Sequence, residues 1–222
     1  MTALANEARA VNVSQGFPDY PIDIALADLL RKAVVDGNNQ YAPMPGLQRL
    51  REVVADKYTR IFGCTVQPES EVTITPGGTA AIFSAIASVV HAGDEVIIFE
   101  PAYDSYASAI RINGGVVRPS HLRIPSYTPD WDHVQSIITQ KTQLIIINSP
   151  HNPCGSVLTA DDLEILALIA EKHNLLVVSD EVYELITFDG AQHYSLAAHP
   201  RLRNRTFIIT SFGKTFHITG WK

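Results

Sequence analysis

The chain has 222 residues, of which 46% are hydrophobic and 18% are charged, and these proportions exclude a disordered chain. Its 17 Lys and Arg against 23 Asp and Glu give a formal net charge of −6, which argues against non-specific binding of nucleic acid. Two cysteines are too few for a disulfide framework, no apolar run reaches a membrane-spanning length and the start lacks the pattern of a signal peptide, so we expect a soluble cytoplasmic protein.

The first 45 residues are predicted to form an N-terminal arm and a helix. Residues 1–20 are predicted to be mainly extended, and residues 24–35 have helical apolar spacing that ends at the polar run DGNN. The amphipathic stretch 47–62 predicts the first helix of the region that follows.

Residues 46–222 alternate short apolar runs with helical stretches. The runs 71–75, 95–99, 115–118, 143–148, 175–179 and 206–210 are nearly continuously apolar and are predicted to be strands buried on both faces of a sheet. The stretches 79–90, 103–110, 131–138 and 160–172 are predicted helices, the last of them capped by Thr159 with Asp162 three residues on. This alternation predicts a three-layer α/β/α domain with a mostly parallel sheet.

Candidate ligand-binding residues follow the predicted strands, because ligands of open α/β sheets bind beyond the carboxyl ends of the strands. After 71–75, the sequence Pro-Gly-Gly-Thr-Ala opens a helix, and Gly78 and Thr79 would offer N–H groups and a hydroxyl to a phosphate; a simple tight turn is the alternative. After 95–99 comes Tyr103, which can stack on a flat ligand or pack at an interface.

The next two loops contain polar candidates. Asn152 can hydrogen-bond a ligand oxygen, and a nucleophilic pair of Cys154 and His151 is a less favoured interpretation of the same loop. After 175–179, Asp180 would face the site with Tyr183 beside it, whereas a divalent-metal site built on the acidic residues here is less favoured.

The last predicted strand is followed by Ser211 and Lys214. A lysine directly after a buried strand is the residue type that Schiff-base chemistry uses, although a surface lysine is the alternative, and Lys222 offers a second cation. An anion-binding turn, a stacking aromatic, an amide, an Asp–Tyr pair and a lysine are together the groups needed to hold pyridoxal phosphate. No metal is predicted.

Seven segments give the chain a resemblance to the class I/II aminotransferases of fold type I, which use pyridoxal 5'-phosphate. They are SQGFPDYP, NQYAPMPG, TPGGTAAI, EPAYDSY, SPHNPCG, SDEVYE and SFGKTFHITGWK, in the family's order. The chain resembles the branch that contains methionine aminotransferase and the kynurenine–glutamine transaminases.

The resemblance implies a role for each candidate. Lys214 would form an aldimine with the cofactor and shuttle the substrate proton, and Asp180 would pair with the protonated ring nitrogen. The other implied cofactor contacts are Asn152 and Tyr183 at the phenolic oxygen, Tyr103 on the ring, and Gly78, Thr79, Ser211, Lys222 and, across a subunit boundary, Tyr41 at the phosphate. Gly16, Phe17 and Asn152 would contact the substrate.

The implied activity is transfer of an amino group from an L-amino acid (methionine, glutamine, or an aromatic or kynurenine-like one) to a 2-oxo acid, by a homodimer with shared active sites. A carbon–sulfur lyase using the same cofactor, and a cofactor-binding fragment without full activity, are the alternatives. A non-enzymatic regulator is disfavoured, since only about 45 residues precede the domain. The family's small C-terminal domain, which supplies an arginine for the substrate carboxylate, is expected to be missing, so the domain over 46–222 is expected to be incomplete.

Overall fold

The computed structural model describes residues 1–12, 16 and 20–221. Within these residues the chain divides into two compact units: residues 41–211 form one, and residues 1–40 together with 212–222 form the other. The larger unit contains the sheet and most of the candidate residues.

The described part of residues 41–211 forms a five-stranded sheet in which every neighbouring pair is parallel. Its strands are β1 (Glu95–Glu100), β2 (Val116–His121), β3 (Thr142–Asn148), β4 (Leu176–Asp180) and β5 (Thr206–Ile209), in the spatial order β2-β1-β3-β4-β5. The predicted parallel α/β sheet is therefore confirmed. Because β2 and β3 lie on opposite sides of β1, the strand order reverses there, and ligands of such sheets bind beyond the carboxyl ends near this point.

In residues 41–211, two helices precede the sheet and three connect its strands, close to where the apolar spacing predicts them. They are α3 (Gln48–Phe62), α4 (Gly78–Val89), α5 (Asp104–Ile112), α6 (Trp131–Ile137) and α7 (Ala160–Lys172). The predicted cap of α7 is confirmed as a capping box: the Asp162 N–H donates to Thr159 Oγ1 (3.2 Å), and the Thr159 N–H donates to Asp162 Oδ2 (2.9 Å). Such a cap stabilises a helix by about 1 kcal/mol.

The sheet has a hydrophobic core on each face. Residues of α6 and α7 pack on one face with Ile97 and Phe99 of β1, and residues of α4 and α5 pack on the other face with Val96 and Ile98. Successive residues of one strand therefore enter different cores, and all four are buried. This two-sided burial is the physical reason for the unbroken apolar sequence of β1.

The prediction of a strand at residues 71–75 is wrong, since no strand is assigned there. Val72 and Ile74 are half-buried while Glu71 and Thr73 are exposed, so the segment is not covered on both faces. Its Ile74 N–H donates to the carbonyl of Pro45 (3.0 Å), which lies outside the sheet. The apolar pattern predicts an extended backbone here, but it does not supply a pairing partner.

The smaller unit contains α1 (Thr2–Glu7), α2 (Ile24–Val35) and α8 (Phe212–Thr215). The bounds of α2 are those predicted, and the Asp23 carboxylate caps it by accepting the Ala25 N–H (2.8 Å). The expectation of an extended start is wrong for Thr2–Glu7, since the sequence TALANE consists largely of good helix formers. In the described residues, no helix combines the length and apolarity that crossing a membrane needs.

Candidate active site

Asp180 ends β4 at the carboxyl edge of the sheet, and only 3% of it is exposed. The Tyr106 hydroxyl donates to its Oδ2 (2.5 Å), and the Val182 N–H donates to its Oδ1 (3.3 Å). Burial raises the pKa of Asp180 to about 6, although the Tyr106 hydrogen bond acts in the opposite direction. A carboxylate placed in this way gains from a cationic partner more than an exposed one does.

Asn148 joins the Asp180 strand to the loop that carries Asn152. It is the register partner of Asp180 at the end of β3, and its Nδ2 donates to the Asp180 carbonyl (2.8 Å). Its Oδ1 accepts the backbone N–H of Asn152 (2.7 Å). Sequence reasoning missed this role, although a polar residue at the end of an apolar strand, directly before a proline-rich loop, is the signal that marks it.

Two tyrosines project from the start of α5. Tyr103 is the N-cap residue and Tyr106 lies one turn further on, with the ring centroids 5.7 Å apart and the planes at 81°. The Tyr103 hydroxyl lies 3.2 Å from Thr79 Oγ1, so two predicted residues from different loops are in contact. Tyr106 was missed by sequence reasoning, and its spacing of three from Tyr103 on a helix is the available signal.

The N-terminus of α4 lies beside the end of β5. Gly77 precedes the helix with φ at +88°, a conformation that favours glycine, and no side chain caps the helix. A Cβ added to Gly78 would lie 3.4 Å from Val182 Cγ1 and 3.9 Å from Ser211 Cβ. Gly78, Thr79 and Ser211 are therefore grouped at a helix N-terminus, an arrangement suited to a phosphate.

Four further predicted residues follow, of which the structure describes two. Tyr183 is half-buried in the turn after β4, and burial, with the Asp180 charge as a smaller cause, raises its pKa. Tyr41 is fully exposed. Phe17 and Lys222 lie outside the described residues.

Lys214 and Gly16 are in contact within the smaller unit. Lys214 lies in the short helix α8, and its Nζ donates to the Gly16 carbonyl (3.1 Å). The Tyr20 hydroxyl donates to the carbonyls of Lys214 and Thr215, at 3.3 Å each. Gly16 and Tyr20 are thus each hydrogen-bonded to α8.

The structure does not favour the two alternative interpretations of the loops after β3 and β4, which are a nucleophilic pair of Cys154 and His151 and a divalent-metal site. Burial raises the pKa of the Cys154 thiol and lowers that of His151, and His151 Nδ1 accepts the Cys154 backbone N–H (3.4 Å). A thiol held neutral in this way is a poor nucleophile. The described ranges also contain no group of three or more His, Cys, Asp or Glu side chains placed to hold a metal ion.

These residues suit a planar, phosphorylated ligand with a cationic ring atom. The described partners of the buried Asp180 carboxylate are a hydroxyl and an amide, both neutral, whereas a buried charge is normally paired. The anion-binding turn and the two tyrosines lie in the same unit. The donor set therefore fits pyridoxal phosphate.

Comparison with known proteins agrees with this geometry. The sequence profile of the family "Aminotransferase class I and II" matches residues 8–222. The chain belongs to this family. Members of the class I and II aminotransferase family depend on pyridoxal phosphate, so the predicted family and its cofactor are both confirmed.

Relatives in the family match the whole chain but extend well beyond it. The chain is 45% identical over 222 residues to methionine aminotransferase of Escherichia coli, whose crystal structure gives a TM-score of 0.96, and it covers 58% of that protein. It is 41% identical to a probable N-succinyldiaminopimelate aminotransferase of Mycobacterium tuberculosis, covering 56% of it, and 38% identical to kynurenine–oxoglutarate transaminase of Dictyostelium discoideum, covering 54%. The chain thus spans a little over half the length of these relatives.

Replacing Tyr106 with phenylalanine is expected to raise the pKa of Asp180 above about 6. The substitution removes the hydroxyl that stabilises the ionised carboxylate, and a hydrogen bond to a charged group contributes about 1.5–3 kcal/mol, so we expect an upward shift of roughly one to two pKa units. Carboxyl ¹³C NMR of aspartate-labelled, cofactor-free protein measures the midpoint. Tyr103→Phe is the control and should leave the Asp180 midpoint unchanged. Equal shifts in both variants would contradict a specific effect of the Tyr106 hydrogen bond on Asp180.

Proposed function

We propose that this protein is an aminotransferase that uses pyridoxal phosphate to move an amino group from an L-amino acid to a 2-oxo acid. The observation that carries the proposal is the buried Asp180 carboxylate with its neutral partners at the carboxyl edge of the sheet. Membership of the family supports it. The proposed donors are methionine, glutamine and aromatic or kynurenine-like amino acids; the names of the relatives include methionine, kynurenine and aromatic amino acids.

The proposed chemistry depends on two residues, Asp180 and Lys214. When bound, the cofactor supplies an electrophilic aldehyde and a ring that stabilises negative charge at the substrate Cα. Asp180 accepts a hydrogen bond from the protonated ring nitrogen and holds positive charge there, in surroundings from which water is largely excluded. The Lys214 amine would hold the cofactor covalently at its aldehyde carbon, with the aldehyde oxygen lost as water. Once displaced by the substrate amine, it would take the proton from the substrate Cα and deliver it to that same carbon of the cofactor.

The remaining residues bind and orient. We propose that the N-terminus of α4 binds the phosphate through N–H groups and hydroxyls, since a helix N-terminus carries partial positive charge. The proposed phosphate ligands are Gly78, Thr79, Ser211, Lys222 and, from a second subunit, Tyr41. Tyr103 packs on the ring, and Asn152 and Tyr183 hydrogen-bond the phenolic oxygen. Gly16, Phe17 and Asn152 contact the substrate.

The proposed assembly is a cytoplasmic homodimer with shared active sites. Its cofactor-binding domain is assigned to residues 46–222, after an N-terminal arm and helix in residues 1–45. The full exposure of the Tyr41 side chain supports this assembly, because it leaves the ring available to a second subunit.

The test is amino-group transfer by purified, cofactor-loaded protein. L-Methionine, L-glutamine and L-kynurenine are supplied separately with a 2-oxo acid, and we expect one donor to yield its 2-oxo acid in a 1:1 ratio with the new amino acid. Turnover beyond one equivalent should require the acceptor. Ammonia and pyruvate released from cystathionine without an acceptor would instead identify a carbon–sulfur lyase, and bound cofactor without either reaction would contradict catalysis by this chain.

A further inference from the structure

A second buried carboxylate follows Asp180 directly. Glu181 is 0% exposed, and its N–H donates to the Ile209 carbonyl (2.7 Å), so the strand pairing with β5 continues through it. Its Oε1 accepts the Ser179 hydroxyl (2.8 Å) and the Leu196 N–H (3.1 Å). The proposed chemistry does not use this residue.

The two carboxylates face opposite sides of the sheet. Asp180 meets Tyr106 on the side of the core formed with α4 and α5, whereas Glu181 meets Leu196, which belongs to the core formed with α6 and α7. This opposition follows from the alternation of side chains along a strand. Hydrogen bonds to Glu181 therefore hold the backbone at the end of β4 from the face opposite the candidate site.

His193 completes the surroundings of Glu181. Its Nε2 lies 3.1 Å from Glu181 Oε2, and the ring packs edge-on against Phe62 at 5.9 Å. Its Nδ1 is buried and has no hydrogen-bond partner among the described residues. The other titratable groups of this region are Lys57 and Tyr58 on α3, Cys64 after it, Glu184, which pairs with Lys57, and Arg203.

We propose that Glu181 is a positioning residue for Asp180, which fixes the end of β4 through its contacts with Ser179, His193 and Leu196 and adds negative potential that favours a cationic ring at Asp180. The second part rests on the proposed role of Asp180 in holding the cofactor. The charge of Glu181 adds to burial, the larger cause, in raising the pKa of Asp180. The two carboxylates belong to adjacent residues, so a cation bound at Asp180 also experiences the charge of Glu181.

The direct test is the titration of Asp180 in cofactor-free Glu181→Gln. Glutamine keeps the volume and an oxygen for the Ser179 hydroxyl and the Leu196 N–H, and removes the charge. Followed by carboxyl ¹³C NMR, Asp180 should titrate at a lower pH than in the wild-type protein. Glu184→Gln is the control, since Glu184 is not among the groups that act on Asp180. An unchanged midpoint in Glu181→Gln, or equal shifts in both variants, would overturn the proposal.

A second variant tests the contacts while keeping the charge. Ser179→Ala removes one hydrogen bond to Glu181 and should speed amide hydrogen exchange of residues 180–182 about fivefold, the equivalent of about 1 kcal/mol. Exchange at the wild-type rate would overturn the positioning role, and this result does not depend on whether Glu181→Gln folds.

Cofactor affinity separates this inference from the proposed function. Glu181→Gln should raise the dissociation constant for pyridoxal phosphate about fivefold, again about 1 kcal/mol, and Glu184→Gln should not. Wild-type protein that binds no pyridoxal phosphate would refute the proposed function, whereas the NMR midpoints would still decide whether Glu181 acts on Asp180. If Glu181→Gln bound pyridoxal phosphate as tightly as the wild-type protein does, the proposal that the charge of Glu181 favours a cationic ring at Asp180 would be refuted.

Discussion

Lys214→Ala is expected to abolish both transamination and covalent attachment of the cofactor. The Lys214 amine is proposed to bond to the aldehyde carbon and to move the substrate proton, and alanine supplies neither group. Loss of a positioned acid–base group alone costs about 10²–10⁴-fold in rate, so we expect turnover to fall by at least about 10³-fold. In the wild-type protein, Nζ donates to the Gly16 carbonyl, and circular dichroism of Lys214→Ala checks that the variant is folded.

Borohydride reduction measures the attachment separately from turnover. Cofactor-loaded wild-type protein should gain the mass of one reduced cofactor on the peptide that contains Lys214, and Lys214→Ala should gain none there. Lys32→Ala is the control, because Lys32 is an exposed lysine of the same unit that pairs with Asp36. A reduced adduct or near-normal turnover in Lys214→Ala would refute the mechanism. Folded wild-type protein without an adduct would refute cofactor attachment at Lys214.

Asp180→Asn is expected to stabilise the cofactor-free protein at pH 8. The folded-state pKa of Asp180 is about 6, against about 3.9 in an unfolded chain. A raised pKa means that the group's contribution to stability is present below about pH 4 and is lost as the pH rises through about 6. At pH 8 the ionised, buried group therefore costs about 3 kcal/mol. Asparagine removes that cost and forfeits one hydrogen bond, so we expect a net gain of about 1–3 kcal/mol.

Urea unfolding at pH 8 and pH 4 measures this effect. The gain should appear at pH 8 and shrink strongly at pH 4, where Asp180 is almost fully protonated in the folded protein and about half protonated in the unfolded chain. Asp56→Asn, at an exposed position of α3, is the control and should change the free energy of unfolding by no more than about 0.5 kcal/mol. If Asp180→Asn were no more stable than the wild-type protein at pH 8, this would contradict the conclusion that burial of the ionised Asp180 carboxylate destabilises the folded state.

The same substitution should reduce turnover while it increases stability. A neutral amide does not hold positive charge on the ring nitrogen, and removal of one such electrostatic contact costs about 10²–10³-fold in rate. Opposite effects on stability and activity are typical of functional sites. Wild-type turnover in Asp180→Asn would remove Asp180 from the proposed chemistry.

The local pattern of apolar and polar residues was sufficient to predict most of the helices and strands. Strands β1 and β3 were predictable because burial on both faces requires unbroken apolar sequence, and α7 was predictable because its cap and its apolar spacing agree. The same reasoning failed at residues 71–75, since an apolar run shows that a segment can be buried and not which strand it pairs with. Candidate residues at strand ends were predictable because carboxyl ends of parallel strands share one edge of the sheet.

The residue types at the edge of the sheet can be read from the sequence, whereas their contact partners depend on how the helices pack on the sheet. Tyr106 and Asp180 lie 74 positions apart and meet only when α5 packs on the sheet. The sequence likewise does not show which face of the sheet each of the two carboxylates occupies. In the structure Asp180 contacts Tyr106 on one face, and its neighbour Glu181 contacts His193 on the other. The raised pKa of Asp180 has the same origin, since the burial that causes it comes from packing between elements far apart in the chain, which local pattern does not encode.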